Sequence, residues 1–411
     1  MPTLWRCCDV GEVAGDREAM TGFRSVLREY LDERVRPQVS AAEQARRLPW
    51  QIVRQLGELG YLSVGLPGEH GGGLGKVGDF VLIEELARVW GSLAMAVMSS
   101  AIIPARLCLE SGSTGLWERH GQRAARGEVP AAFALTEMDA GSDAGALVTV
   151  AEAAPGGGWR LNGHKAYVTC GADAGFGIVG AKLESPDARE IGLFLVAGNP
   201  MPWRVSRRHD MDCHRAVDVV DVALSGVKVD AAARLDSEHK NIWRSLAGER
   251  ILSTALAVGL AQGALDAGTR YASQRHQFGR PIGSFGEILR MLADSEAEVS
   301  AARALGMQAA VDWDAGDHGA LGPSRAKLFA TEVAVRVTER AQHVHGGYGQ
   351  MSEFDVGRFA RDARMGPVGG GVSEIQARIV ARAIGLPVPG RPGGRPGRDR
   401  RLPGAGGRKI T

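Results

Sequence analysis

Residues 366–376 read GPVGGGVSEIQ, three consecutive glycines directly ahead of a helix start. A glycine-rich turn running into a helix can hold a phosphate on its backbone N–H groups, and it can equally be a plain bend. Two other stretches carry polar groups at useful spacing. FALTEMDAGSDAGAL (133–147) sets Thr136, Ser142 and several backbone N–H groups around Gly141. Such a turn can donate to a polar ring edge or to phosphate oxygens, and the same residues also suit a polar β-turn. In LNGHKAYVTCGADAG (161–175) Tyr167 and Thr169 stand two apart, which in a regular strand puts both on one face. An aromatic to stack and a hydroxyl to hydrogen-bond suit a flat heterocycle; a solvent-facing strand edge has the same look.

These residues need elements to position them. Residues 17–130 show helical spacing. REAMTGFRSVLREYLDERV places Met20, Phe23, Val26, Leu27, Tyr30 and Leu31 along one stripe, which Pro37 stops. A second helix has Pro49 near its start and Gly60 near its end. GLPGEHGGGLG (65–75) is a glycine-rich loop. From 131 to 236 the pattern changes to short Val-, Leu- and Tyr-rich runs bounded by Gly, Pro or Asn, which read as strands of a β-domain. LNG at 161–163 is a hairpin-turn signal. Helical spacing returns over 237–385, in stretches near 243–274, 285–315, 324–345 and 373–384. The expectation is an α+β chain: an N-terminal helical domain, a middle β-barrel or sandwich, and a C-terminal four-helix bundle. No G-x-G-x-x-G follows an early strand, which disfavours a Rossmann fold.

The chain has 411 residues and a formal net charge of +2. The last 21 residues hold six Arg, one Lys and one Asp, so the other 390 sum to −4. That argues against a nucleic-acid-binding body. Residues 386–411 read as a disordered basic tail, with an interaction arm as the other possibility. Five cysteines (Cys7, Cys8, Cys108, Cys170, Cys213) at no zinc-like spacing fit a reducing, cytoplasmic compartment and no metal. No signal peptide and no membrane span are expected.

Taken together, the stretches resemble the acyl-CoA dehydrogenase family, the FAD-dependent enzymes that desaturate acyl thioesters. The resemblance covers about residues 17–385. Its markers are GLPGEHGGGLG, LTEMDAGSD, LNGHKAYVTCG, RHQFGRPIGSF, LADSEAE, HGGYG and RDAR, in this order. It implies FAD, a homo-oligomer (dimer or tetramer) and a cofactor lying between subunits. By position, Thr136 and Ser142 would contact the flavin or its pyrophosphate. Tyr167 would pack against the ring and Thr169 would donate toward flavin N5. Arg275 and Phe278 would reach a neighbouring subunit's FAD, the guanidinium neutralising pyrophosphate. The same cofactor site is implied for Leu135, Gly141, Gln277, Ile282, His343, Gly346, Gly347, Val372 and Glu374. Three positions depart from the family. His343 and Gly286 stand where Gln is usual, and Val372 where Thr is common, so FAD is expected to be held weakly.

The family places its catalytic glutamate in the turn that this sequence spells GGGV, and Gly370 occupies that position. The Gly370 N–H survives as a donor to a thioester oxygen. Some branches, such as the isovaleryl-CoA and long-chain enzymes, carry the base as a Glu-Arg pair on the first long C-terminal helix. LAGERILSTALAVGLAQG supplies Glu249 and Arg250 at that place. Glu249 is thus the expected base; it also reads as an ordinary first-turn helix carboxylate. Glu137 and Glu374 are weaker candidates.

The expected function is α,β-desaturation of an acyl-CoA or acyl-carrier-protein substrate, with an electron-accepting flavoprotein or oxygen as acceptor. Arg204, Arg207 and Arg208 of RVSRRHD could meet an acidic carrier or coenzyme A phosphates, or form a solvated charge run. Two alternatives share the fold: a flavin-dependent monooxygenase of the nitrososynthase type, and a non-catalytic thioester-binding remnant.

Overall fold

The computed structural model describes residues 16–184, 190–235 and 240–388. The first block is helical: α1 (Asp16–Tyr30), α2 (Val39–Ala45), α3 (Trp50–Glu58), α4 (Gly75–Val89), α5 (Gly91–Val97), α6 (Ile103–Glu110), and the short α7 (Thr114–Leu116) and α8 (Gln122–Ala125). The α1 stripe buries Phe23 and Leu27 and continues to Leu31, but Val26 is half exposed. At 100° per residue it falls beside the stripe rather than on it. Pro37 does not end the helical run. It sits in a 3-10 turn, Arg36–Gln38, just before α2, where a proline's missing N–H costs little. Pro49 is the N-cap of α3, and Gly60 follows its end with φ +82°.

The middle block is one seven-stranded sheet: β1 (Ala131–Ala134), β2 (Val150–Ala153), β3 (Trp159–Thr169), β4 (Phe176–Leu183), β5 (Ile191–Ala197), β6 (Arg204–Arg208) and β7 (Val219–Val229). β4 pairs parallel with β1 and β2 and antiparallel with β5. The LNG signal at 161–163 is not a turn. It lies inside β3, which pairs with β7 from Trp159↔Val229 to Thr169↔Val219, with a register shift between Leu161 and Gly163. The Asn162 side chain accepts from Gly226 N–H across that shift, and the β2–β3 turn falls instead at 154–158. The arginine run 204–208 is the exposed strand β6 at the end of the sheet.

The last block holds α9 (Lys240–Gln274), a two-residue hairpin β8 (His276–Gln277) and β9 (Arg280–Pro281), α10 (Gly286–Asp314), α11 (Leu321–Val344), α12 (Val356–Ala363) and α13 (Ser373–Ala383). The eight-residue α12 was not expected from spacing. It is short, but it buries Val356, Phe359, Ala360 and Ala363 on one side. α9 crosses α4 at close range: a Cβ on Gly259 would stand 2.2 Å from the Glu84 carbonyl oxygen. Arg24 and Arg28 of α1 bind Glu85 of α4, and Arg24 and Arg303 of α10 bind Glu84, tying the first block to the last. Two helical segments, 91–110 and 242–274, are long and apolar enough to cross a membrane. Their apolar windows are 78% and 83% buried inside the protein, so core packing accounts for their composition.

Candidate active site

Glu249 lies more than two turns inside α9, so the helix-end dipole, which acts within the first turn, does not explain it. Ser253, one turn on, shares its side of the helix. Both face the turn that leads into α13. There Gly370 and Gly371 take φ +64° and +94°, a region that side-chain-bearing residues enter only under strain. A Cβ on Gly370 would stand 2.8 Å from Ser253 Oγ and 3.7 Å from Glu249 Oε1. Groups from α9 therefore occupy the space beside Gly370 where a side chain from the turn would lie.

Among the described residues the Glu249 carboxylate has no hydrogen-bond or ion-pair partner. It keeps a little open surface, yet protein closes round it enough that burial raises its pKa above the usual carboxylate range. The charges of Arg250 and Lys327 oppose that rise without reversing it. The Gly370 N–H likewise donates to no group among the described residues. The next carbonyl, of Gly371, is held twice, by Lys327 Nζ at 2.7 Å and Gln376 Nε2 at 3.0 Å. An unpartnered carboxylate beside a free backbone N–H can take a proton at one point and steady negative charge at another.

The sheet approaches this region through Cys170. It belongs to one apolar cluster with Met95 of α5, and against that cluster packs Met365, whose Cε lies 3.5 Å from a Cβ on Gly369. Just before it, Thr169 is half-buried and Tyr167 is exposed. Simple alternation does not aim the Tyr167 ring. The β3–β7 register shifts between Lys165 and Val168, and Tyr167 takes φ +56°. Its N–H donates to Asp221 Oδ1 (3.1 Å), and its ring stacks on His209 at 5.0 Å. His209 is in turn held by Asp221 at 2.7 Å. Leu135 is buried and Thr136 half-buried, whereas Gly141 and Ser142 are exposed. Their loop is fixed by Glu137, which accepts from Val148 N (2.5 Å), Thr149 N (2.9 Å) and Lys165 Nζ (2.7 Å). That use removes Glu137 as a candidate base. Glu374 is exposed in the first turn of α13, after Val372, whose side chain does not cap the helix.

A second group gathers at the other end of α9. Arg275 lies 5.9 Å from the Tyr348 ring centroid and has no ion-pair partner among the described residues. Gln277 is exposed, Ile282 is half-buried, and Phe278 is 93% exposed with φ +50° at the hairpin tip. His343, Gly346 and Gly347 are exposed where α11 ends, next to the stacked Tyr271–His345 pair. Gly286 opens α10 with nothing near it. Along α9, Glu249 and Arg275 are about 39 Å apart at 1.5 Å per residue. One chain does not bring the two groups together.

Two buried lysines, Lys165 and Lys327, escaped the sequence reading. Both lie where strand or helix periodicity puts apolar residues: Lys327 falls on the α11 stripe of Ala326, Ala330, Ala334 and Val337. That placement was the available signal.

The sequence matches the family profiles for the acyl-CoA dehydrogenase N-terminal domain (residues 17–128), middle domain (132–227) and C-terminal domain (240–385). The chain belongs to the acyl-CoA dehydrogenase family. It is an FAD-dependent oxidoreductase of the class acting on CH–CH groups. Benzylmalonyl-CoA dehydrogenase of Aromatoleum aromaticum is 34% identical over 361 residues, 86% of this chain and 95% of the relative. The butyryl-CoA dehydrogenase of Megasphaera elsdenii superposes with a TM-score of 0.85 at 27% identity, over 92% of this chain and 100% of that one. The prolyl acyl carrier protein oxidase AnaB gives 0.83 at 25% identity, over 90% and 100%. The residues present fit FAD. An outward aromatic ring at Tyr167 suits the flavin, and an uncommitted guanidinium at Arg275 suits a pyrophosphate.

Proposed function

We propose that the enzyme desaturates an acyl thioester between its α and β carbons, with Glu249 removing the α-proton. The observation that carries this reading is the Glu249 carboxylate, unpartnered and 3.7 Å from the Cβ position of Gly370. The base lost from the turn is replaced by one from α9 beside the same space. Burial makes Glu249 a better proton acceptor than an ordinary carboxylate. The free Gly370 N–H donates to the thioester oxygen as charge grows there. FAD, when bound, supplies the acceptor for the β-hydride.

Thr136, Ser142, Tyr167 and Thr169 hold the flavin in this reading. Arg275 and Phe278 hold the cofactor of a second copy, which accounts for an exposed phenylalanine and an unpaired arginine about 39 Å from the base. A homo-oligomer follows. The thioester is borne by coenzyme A or by a carrier protein, the two kinds of substrate named for the relatives above. Electrons then leave to a flavoprotein or to oxygen.

The test is anaerobic flavin bleaching by a panel of coenzyme A and carrier-protein thioesters. At least one should bleach the wild type. Glu249→Gln should keep its flavin but bleach about 10²–10⁴-fold more slowly. Wild-type kcat/KM should rise with pH through a value above the normal carboxylate range, since the base works ionised. Undiminished bleaching in Glu249→Gln removes it from the mechanism.

A further inference from the structure

The glycine turn is anchored at its two ends by its own backbone. Gly369 N–H donates to Met365 C=O, and Ser373 N–H to Pro367 C=O. The Val372 carbonyl is held by Ile375 and Gln376 N–H, so between the anchors it is Gly370 and Gly371 that are fixed from outside, at the Gly371 carbonyl. Of its two donors Gln376 is neutral, and its own Oε1 is buried without a partner. Lys327 is the shorter, charge-assisted contact, and it comes from a fully buried side chain on α11. A buried ammonium has three N–H groups to satisfy, and this one has a single hydrogen-bond acceptor among the described residues. Such a group is costly to keep unless it does something an apolar side chain could not.

We propose that Lys327 is a positioning residue for the reaction: by gripping the Gly371 carbonyl it sets the Gly370 N–H against the thioester oxygen and balances the charge of Glu249. The inference rests on the Glu249 reading above. The charged groups acting on Lys327 are Arg250 and Glu249 of α9, Glu332 of its own helix and Glu374 of α13. Charges on the other helices packed against α11 are engaged elsewhere. Arg303 of α10 binds Glu84, Arg358 of α12 binds Asp355, and Asp362 accepts from His214 N–H. The charges of Arg250 and Lys327 both act on Glu249 from beyond ion-pair distance, so its ionised form is partly balanced. Loss of the Lys327 proton would both weaken the grip on the turn and remove that balance.

The test uses the full FAD-loaded chain with Lys327→Met and Lys327→Gln. Burial, helped by the Arg250 charge, brings the Lys327 ammonium down to about 8. Wild-type kcat/KM should therefore fall on the alkaline side near that pH, and both variants should lose this limb. In Lys327→Met kcat/KM should drop about 10²-fold, as expected for a misplaced reacting group. Its acid limb should move up, because a cation acting on Glu249 is gone. Lys327→Gln, which keeps a neutral donor, should lose less rate. Amide exchange of residues 369–372 should be faster in Lys327→Met. A wild-type profile without the alkaline limb overturns the proposal even if neither variant folds; so does a folded Lys327→Met with an unchanged profile. Full-rate Glu249→Gln would sink the base assignment instead, whereas a dead Glu249→Gln beside an unaltered Lys327→Gln profile sinks only the role of Lys327.

Discussion

Glu137 and Glu249 are both largely enclosed glutamates, each with a buried lysine nearby, and they have opposite fates. Glu137 is saturated. Two backbone N–H groups and Lys165 donate to it, and these outweigh the upward push of burial, so its pKa lies below the ordinary range. Glu249 has only long-range help from Arg250 and Lys327, so burial wins and its pKa rises. Their lysines, Lys165 and Lys327, are both drawn down to about 8 by burial. The difference lies in where each lysine sends its hydrogen bonds. Lys165 gives one to the glutamate itself and one to the Leu135 carbonyl, whereas Lys327 gives its bond to the glycine turn. A carboxylate whose donors are all supplied is a structural tie; one left without them is available to take a proton.

The contrast can be broken by matched substitutions. Glu249→Gln carries the largest expected effect, on rate, and leaves the fold intact. Glu137→Gln should act on the fold instead. It takes away the counter-charge of buried Lys165, costs about 3–5 kcal/mol, and loosens the loop that carries Thr136 and Ser142. Thermal melting with FAD titration reads both consequences; a rate defect at unchanged stability would place Glu137 in the chemistry after all. The two should also differ in sign with pH. The lowered pKa of Glu137 contributes stability above the ordinary carboxylate value, lost as pH falls through the folded value. The raised pKa of Glu249 does the reverse, removing stability as pH climbs from the ordinary value to the raised one. At neutral pH Glu249→Gln should therefore melt above the wild type and Glu137→Gln below it, and both gaps should shrink on acidification.

Smaller effects sharpen the picture at the distant end of α9. Arg275→Ala should weaken FAD binding about 10- to 100-fold, the worth of a charge-assisted contact, with kcat on saturated enzyme little changed. Unchanged FAD affinity would show that the hairpin serves something else. The smallest change is a gain. Val372→Thr supplies both a hydroxyl toward the cofactor and an N-cap that α13 lacks, each worth about 1 kcal/mol. Tighter FAD retention and a higher melting temperature are expected.

The order of helical, strand and helical blocks was legible because it rests on long apolar periods that core packing enforces. The closeness of Glu249 to the glycine turn was also expected, from a Glu-Arg pair and a glycine turn that complement each other, and the Cβ position of Gly370 does lie 3.7 Å from Glu249 Oε1. What was not legible depends on pairing or on single contacts. LNG has turn chemistry, yet the apolar residues on both sides of it pair with β7, and the strand runs through. Tyr167 is aimed by a register shift that alternation cannot foresee. Val26 falls just beside the buried stripe, and Pro37 stands in the first turn of the next helical segment, where a proline does not stop the run. Lys327 was passed over because a lysine in a helix usually points to water, and only the apolar stripe beside it says otherwise.

Glu249 and the turn beside it belong to different kinds of structure. Glu249 rides on a 35-residue helix locked against α4 at Gly259, so its position is set by packing that no nearby loop can disturb. In the proposed reaction the turn carries no acid and has only to offer an N–H. In the proposed reaction, proton transfer therefore depends on helix packing rather than on the conformation of a loop.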